Sequence, residues 1–241
     1  MGERERAAMA RAAVDVVAVA ELTPHMRRIT LGGSEMAVFL QVDGIEDPAA
    51  WVKVFLPTGE GRAYTIRSVN RRAATLDLDF VMHGDEGPAS AWAAGAQVGD
   101  RLMIAGPRSG RFELPDDARW VLLAGDATAL PAIQVIAETL PAGIKVNVYA
   151  EIAAQADRQR IDTLASMRIA WLQAEGDAGS VLRQSLMFRP FPAGPGYIWV
   201  AGESAMVKAL RKHYLQEREM PVHRVSASGY WKAGEADHRD R

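Results

Sequence analysis

Apolar and polar positions alternate in short runs over the first half of the chain. The runs 14–20, 27–31, 52–56, 62–69, 75–81 and 101–105 each read as a strand, parted by Gly, Pro or Asp. Closely spaced strands with little helical patterning predict a small antiparallel β-barrel. The texture changes around 115–118. From Trp120 onward, predicted strands at 121–124, 145–150, 168–173, 197–201 and 222–228 alternate with helical patterns at 129–140, 157–166, 181–187 and 204–218. That alternation predicts a parallel sheet with both faces covered. The expected architecture is therefore two-domain, β followed by α/β, with a barrel over 1–114 and a nucleotide-binding-like domain over 118–241. Neither repeats nor low-complexity tracts interrupt it.

Composition narrows the chemistry. The 241 residues are 49% hydrophobic and 24% charged, enough to bury a core in each of two domains. A net charge of −2 gives no reason to expect a nucleic-acid binder. The chain has no cysteine, which excludes disulfides, thiol redox chemistry and cysteine-ligated iron–sulfur clusters. Its five histidines are scattered, with no i, i+4 pair, so no metal site is expected. No run approaches the roughly 20 apolar residues of a membrane span. A cytoplasmic monomer is the expected state.

Five segments carry chemistry. Arg62-Ala63-Tyr64-Thr65-Ile66-Arg67 sets an aromatic ring, a hydroxyl and two guanidiniums in one strand. A flavin offers a flat ring to stack on, an edge that accepts hydrogen bonds and a diphosphate that takes positive charge. Alternation puts Arg62, Tyr64 and Ile66 on one face and Ala63, Thr65 and Arg67 on the other. Arg62 and Tyr64 are thus expected to face such a cofactor together, with Arg67 reaching it another way or serving the substrate mouth. A barrel strand with exposed arginines and one core tyrosine is the alternative. After the strand holding Asp79, His83-Gly84-Asp85-Glu86-Gly87-Pro88-Ala89-Ser90 leads into a helix through Trp92. A glycine-flanked helix start with Pro88 in its first turn offers N–H groups to phosphate, or is a plain turn. Gly125-Asp126-Ala127-Thr128-Ala129 is a strand-to-helix corner with Thr128 as the expected cap, and Gly202-Glu203-Ser204 is a second, capped by Ser204. Ser228-Gly229-Tyr230-Trp231-Lys232 places two large aromatics between glycines, either as a core-closing cluster or as a lid. Glu151, after the second α/β strand, either meets ribose hydroxyls or stands as a solvated surface charge.

Taken in order, RAYTIR at 62–67, HGDEGPASAW at 83–92, AGDATALPAI at 124–133, AGE at 201–203 and GYWKAG at 229–234 resemble the siderophore-interacting proteins. These are the ferric-siderophore reductases of the ferredoxin–NADP reductase superfamily. Where that family usually has an acidic residue, this chain has Ala127. The resemblance implies an FAD-binding barrel followed by an NAD(P)-binding-like α/β domain, with FAD held non-covalently between them. It implies cofactor contacts from Arg62, Tyr64, Thr65, Ile66, Arg67 and Asp79, and from His83, Gly84, Pro88, Ala89, Ser90 and Trp92. Asp126, Thr128, Ala129, Tyr230 and Trp231 are expected at the nicotinamide and flavin edge. Lys53, Arg67 and Lys232 are the candidates for an anionic ferric siderophore. The implied activity moves electrons from NAD(P)H, or reduced ferredoxin, through flavin to an Fe(III) chelate. A general flavin or ferredoxin reductase and a non-enzymatic chelate carrier are the rival expectations.

Overall fold

The computed structural model describes residues 9–82 and 87–234. Six strands close the barrel: β1 (Arg11–Thr23), β2 (Met26–Gly32), β3 (Trp51–Phe55), β4 (Gly61–Asn70), β5 (Thr75–Val81) and β6 (Arg101–Arg108). Their order around the barrel is β1-β2-β5-β4-β3-β6, with every neighbour antiparallel. The alternation read in the sequence is what fills it. Val14, Ile29, Val52, Val54, Leu76, Leu78 and Ile104 point inward and are buried. Closure removes the open sheet edge that a short meander would leave to water. Two helices belong to this half: the short α1 (Met36–Phe39), which periodicity did not predict, and α2 (Pro88–Gly95).

The second half is a parallel sheet of β7 (Trp120–Gly125), β8 (Lys145–Ile152), β9 (Ser166–Gln173), β10 (Gly196–Glu203) and β11 (Val225–Trp231). Its order is β11-β10-β7-β8-β9. β7 to β9 advance in one direction and β10 to β11 in the other, so the topological switch lies between β7 and β10. Ligands of such sheets bind beyond the strands' carboxyl ends at that point. α3 (Leu130–Thr139) covers one face, where Val121, Leu123, Ile133, Ile136, Val148 and Trp199 are buried. α4 (Ser180–Met187) and α5 (Ser204–Lys212) cover the other, over Trp120, Leu122, Leu182, Ile198, Val200 and Leu210. Met26, Ala49 and Val81 of the barrel half pack into the α3-side core, so the barrel lies on that face.

Several expected elements differ. The helix predicted over 157–166 is absent: a 3-10 turn, Gln155–Asp157, is followed by irregular chain. Its apolar spacing misleads, because Ile161 is buried while Leu164 is 79% exposed. α5 stops at Lys212 and continues as a π-helical turn, His213–Glu217. The run 222–228 begins with a 3-10 turn, Val222–Arg224, before β11 starts. Neither predicted cap holds. Glu203, not Ser204, caps α5, its carboxylate accepting from Met206 N at 2.8 Å. Thr128 donates its own N–H and hydroxyl to Asp126 instead of capping α3.

Candidate functional site

β4 carries the first group of predicted residues. Tyr64 pairs with Val52, Arg62 with Val54 and Ile66 with Leu78, so these three share the core side of the barrel, as alternation requires. Ile66 is itself a core residue. Tyr64 is half-buried, its ring centroid 3.9 Å from that of Phe80, and Trp92 lies 5.7 Å beyond Phe80. Burial pushes the ionisation of the Tyr64 phenol up. Thr65, opposite Trp51, is the buried residue turned to the sheet domain.

Arg67 leaves the pattern. The β4–β5 register steps from Ile66↔Leu78 to Ser68↔Asp77, which leaves Arg67 as the extra residue of a β-bulge. The bulge swings its guanidinium onto α3. Nη1 and Nη2 donate to Glu138 at 3.2 and 2.6 Å, and Nε donates to Gln134 at 3.2 Å. In this structure Arg67 braces barrel to sheet.

Asp79 is likewise committed. It is 5% exposed and accepts from Arg28 Nε and Nη2 at 2.7 and 2.8 Å. That hydrogen bond raises the Arg28 pKa further, against the opposing effect of burial. Sequence reasoning missed Arg28. Its signal was the antiparallel pairing of MRRITLG with TLDLDFV, which sets Arg28 across from Asp79. Arg27 beside it donates to the carbonyls of Ala93 and Ala94 at 2.6 and 2.5 Å, fixing the end of α2 to the barrel. At its start α2 has Gly87, with no side-chain cap, then Pro88, and Ala89 and Ser90 are buried. His83 and Gly84 lie outside the described residues.

The second group meets at the sheet's switch point. β7 ends at Gly125, where a Cβ would stand 2.4 Å from Ala129 Cβ and 2.6 Å from Ala201 O. The chain can turn there only because it has none. Asp126 follows, 8% exposed. Its Oδ1 accepts from Thr128 N and Oγ1 at 2.9 and 2.5 Å, and its Oδ2 from Glu203 N and Trp231 Nε1, both at 2.8 Å. Burial raises the Asp126 pKa, and these hydrogen bonds oppose the rise. One carboxylate therefore joins the ends of β7, β10 and β11. Burial pushes the Tyr230 phenol up, and the Thr65 hydroxyl across the seam opposes that rise.

Lys53 is half-buried on the outer barrel. It runs over Gly61 toward Phe55, whose ring centroid is 5.7 Å from Nζ. Lys53 and Arg67 are thus drawn apart. Lys232 follows Trp231 at the end of β11 and is half-buried.

A cleft of about 330 Å³ opens where the β1–β2 turn and the end of β5 face the carboxyl ends of β7 and β8. Its lining is mostly apolar and includes Met26, Val81, Leu130 and Ile152. His25 closes one side, its N donating to Asp157 Oδ1 at 3.1 Å and its Nδ1 meeting Oδ2 at 2.8 Å. Burial would raise the Asp157 pKa, but the hydrogen bonds from His25 and Ala154 hold it below the usual carboxylate range. Glu151 does not reach this cleft as a ribose ligand, nor is it a surface charge. It is 5% exposed and accepts from Gly179 N and Leu182 N at 3.0 and 2.9 Å, tying the start of α4 to β8. Burial raises its pKa. Among the described residues no His, Cys, Asp or Glu cluster could hold a metal ion, and no helix is long and apolar enough to cross a membrane.

A closed antiparallel barrel lying on a parallel sheet, with the cleft at the strands' carboxyl ends, is the ferredoxin reductase-like fold. The ferredoxin reductase in carbazole 1,9a-dioxygenase superposes with a TM-score of 0.68 over 92% of this chain and 69% of that one, at 19% identity. Family models add what the fold alone does not. Residues 58–111 match the siderophore-interacting FAD-binding domain, and residues 118–234 match the siderophore-interacting protein model. The ferric vibriobactin reductase ViuB of Vibrio cholerae is 32% identical over 95% of this chain and 93% of its own. A siderophore utilization protein from T. fusca has a TM-score of 0.82 at 32% identity, covering 96% of each chain. The chain belongs to the siderophore-interacting protein family, with an FAD-binding domain in its first half.

Proposed function

We propose that this protein is an FAD-dependent ferric-siderophore reductase that takes electrons from NAD(P)H and releases Fe(II). The barrel, 1–114, and the α/β unit, 118–241, serve as its flavin and nucleotide domains. The observation that carries the reading is the seam between β4 and the switch point, where Thr65 meets Tyr230 and Asp126 gathers three strand ends. The residues there fit FAD. Tyr64 and Trp92, half-buried on either side of the core residue Phe80, offer aromatic surface, Thr65 offers a hydroxyl, Arg62 offers a guanidinium, and the uncapped start of α2 at Gly87–Pro88 suits a diphosphate. His83 and Gly84 would complete that phosphate loop. Asp126, Thr128, Ala129, Tyr230 and Trp231 would line the reactive edge.

When bound, FAD accepts an electron pair from a hydride donor and yields it in single steps. Each hydride thus reduces two ferric chelates and leaves one proton. Within the chain, the buried seam keeps water from the reactive edge, and Lys53 and Lys232 supply positive charge for an anionic chelate. No side chain need act as acid or base on the iron, since ferrous iron leaves hard oxygen ligands readily once formed. We place the protein in the cytoplasm, as a monomer.

The test is anaerobic. Purified protein loaded with FAD is mixed with a ferric siderophore and a ferrous trap, and NADH, NADPH and reduced ferredoxin are offered in turn. Trapped Fe(II) with a nicotinamide donor is expected. Turnover of free flavin or ferredoxin without trapped iron would favour a general reductase. Chelate binding with no iron release under any donor would favour a carrier.

A further inference from the structure

The parallel strands carry the flavin seam at their carboxyl ends and a second concave site at their amino ends. β8 and β9 pair there, Lys145 with Ser166 and Asn147 with Arg168. Val146 and Val148 belong to the α3-side core, so alternation turns Lys145 and Asn147 to the opposite face, with Ser166 and Arg168 beside them. α4 ends before it covers this corner. Arg189, two residues past its end, lies with its guanidinium 5.6 Å from the ring centroid of Tyr149, two residues along β8 from Asn147. What stays open is a pocket of about 280 Å³ lined by Lys145, Asn147, Ser166 and Arg168, with Pro192 at its side. Lys145 and Arg168 are exposed, and neither meets a carboxylate among the described residues. Arg218 adds charge nearby: its Nη1 donates to the Arg189 carbonyl at 2.9 Å and its guanidinium stands 4.0 Å from the Phe191 centroid.

Two large apolar side chains flank this corner. Phe188, next to Arg189, is 89% exposed, and Leu164, two residues before Ser166, is 79% exposed. One exposed apolar residue is ordinary. Two beside unpaired cations and a polar pocket form the pattern of a surface that enters a lipid interface: apolar groups sink to the acyl boundary while Lys and Arg meet the phosphates. Charge is segregated in the same sense. Between 180 and 224 the chain has seven Lys and Arg against three Glu, although its net charge is −2. Of the carboxylates at this end, Asp117, Asp162 and Glu217 are bonded to Arg224, Arg160 and His213. Acidic groups elsewhere on the molecule are screened beyond about 8 Å at physiological salt.

We propose that the amino end of the parallel sheet is a docking surface for an anionic phospholipid bilayer, with a lipid phosphate seated between Lys145 and Arg168 and with Phe188 and Leu164 inserted beside it. β8 has eight residues, so this surface stands roughly 25 Å from the seam. Docked this way, the protein turns its flavin cleft away from the bilayer and toward solvent. No residue of the seam takes part, so the docking surface stands or falls apart from the flavin reading.

The full chain, with FAD present, is sedimented with phosphatidylglycerol vesicles and with phosphatidylcholine vesicles. Binding to the anionic vesicles alone is expected, weakening as salt rises. Lys145→Ala and Arg168→Ala should each lower the partition coefficient about fivefold, and the double variant roughly 25-fold. Phe188→Ala should lower it several-fold at high and low salt alike. All three side chains are exposed, so thermal melting should stay unchanged, which separates a lost contact from a lost fold. Wild-type sedimentation no greater than with neutral vesicles overturns the proposal, as does equal binding by wild type and the double variant. Displacement by glycerol phosphate at the same phosphate concentration would make this a site for a free phosphate and overturn the bilayer as its occupant. A concentration-dependent dimer that Phe188→Ala abolishes would give the face to a second copy of the chain, with the same consequence.

Discussion

Replacing Gly202 by alanine tests the switch-point corner most directly. A Cβ at Gly202 would lie 2.4 Å from Asp126 Oδ2 and 2.8 Å from its Cγ. The backbone there has φ +133°, a conformation that L side chains rarely adopt. Asp126 has no room to yield, since Oδ2 holds Glu203 N and Trp231 Nε1 while Oδ1 holds Thr128. Backbone strain costs about 1–3 kcal/mol. The forced contact adds about 1–3 kcal/mol. Taking the middle of the combined range, roughly 4 kcal/mol, melting should fall by roughly 8–16 °C for a chain of this size. Gly143→Ala is the control: φ is +94° there, and nothing lies within 4 Å of the added Cβ, so only the strain remains. Thermal unfolding followed by circular dichroism and calorimetry compares the two. The gap between them measures the contact with Asp126, about 1–3 kcal/mol, and should close in an Asp126→Ala background. Equal losses in the two glycine variants would refute the reasoning, because the Asp126 carboxylate would then not be fixed where the corner needs it.

The residues read correctly from sequence are those whose neighbours in space obey the same alternation. Leu76, Leu78 and Phe80 face the barrel core, and Tyr64 and Ile66 lie on the core side with them. The motif corners were also legible, because Gly125 and Gly202 are each required by a close backbone or carboxylate approach. What escaped depends on partners far along the chain. Glu151 read as a ribose ligand or a surface charge because its partners, Gly179 N and Leu182 N, come 28 and 31 residues later. The Asp126–Trp231 bond spans 105 residues. Thr128 looked like a cap, but Asp126, two residues earlier, captures its N–H in a local turn, a competition that Asp often wins.

Four further outcomes follow from the same geometry. A double-mutant cycle on Arg67→Ala and Glu138→Ala should give a coupling of about 1 kcal/mol in urea unfolding, since the pair is only partly shielded, with side chains 16% and 34% exposed. No coupling would mean that Glu138 does not hold Arg67 and would refute the brace. Asp157 has a lowered folded-state pKa, so its contribution is present above its unfolded value of about 3.9 and is lost as pH falls through the folded one; urea midpoints between pH 2 and 6 should flatten in Asp157→Asn. Asp126 has the opposite sign: its raised pKa means stability is present below about 3.9 and lost as pH rises through the folded value. Asp126→Asn should remove that limb yet weaken the corner, because an amide presents N–H groups to one pair of donors. Lys53→Ala and Lys232→Ala should each raise the KM for an anionic ferric chelate a few-fold at low salt, with the difference shrinking at high salt; a KM indifferent to both would move the chelate elsewhere.

Both bulges in the seam bear on how the RAYTIR and GYW segments work. A strand in register can present a side chain only up or down, toward its own core or away from it. Binding a barrel to a sheet along a shared cleft needs side chains aimed sideways, and an extra residue in one strand provides that. Arg67 in β4 and Tyr230 in β11 are those extra residues. Arg67 is bonded to α3 and Tyr230 stands beside Thr65 of β4, so both bulges lie on the seam between the two halves. A motif that reads as a row of ligands thus divides by register: the in-register Arg62, Tyr64 and Ile66 belong to the barrel's core side, and the out-of-register residues hold the seam. On that division, losing a bulge residue should loosen the two halves and alter the flavin environment together. Losing Tyr64 should strip aromatic surface from the site while leaving the Arg67–Glu138 brace in place.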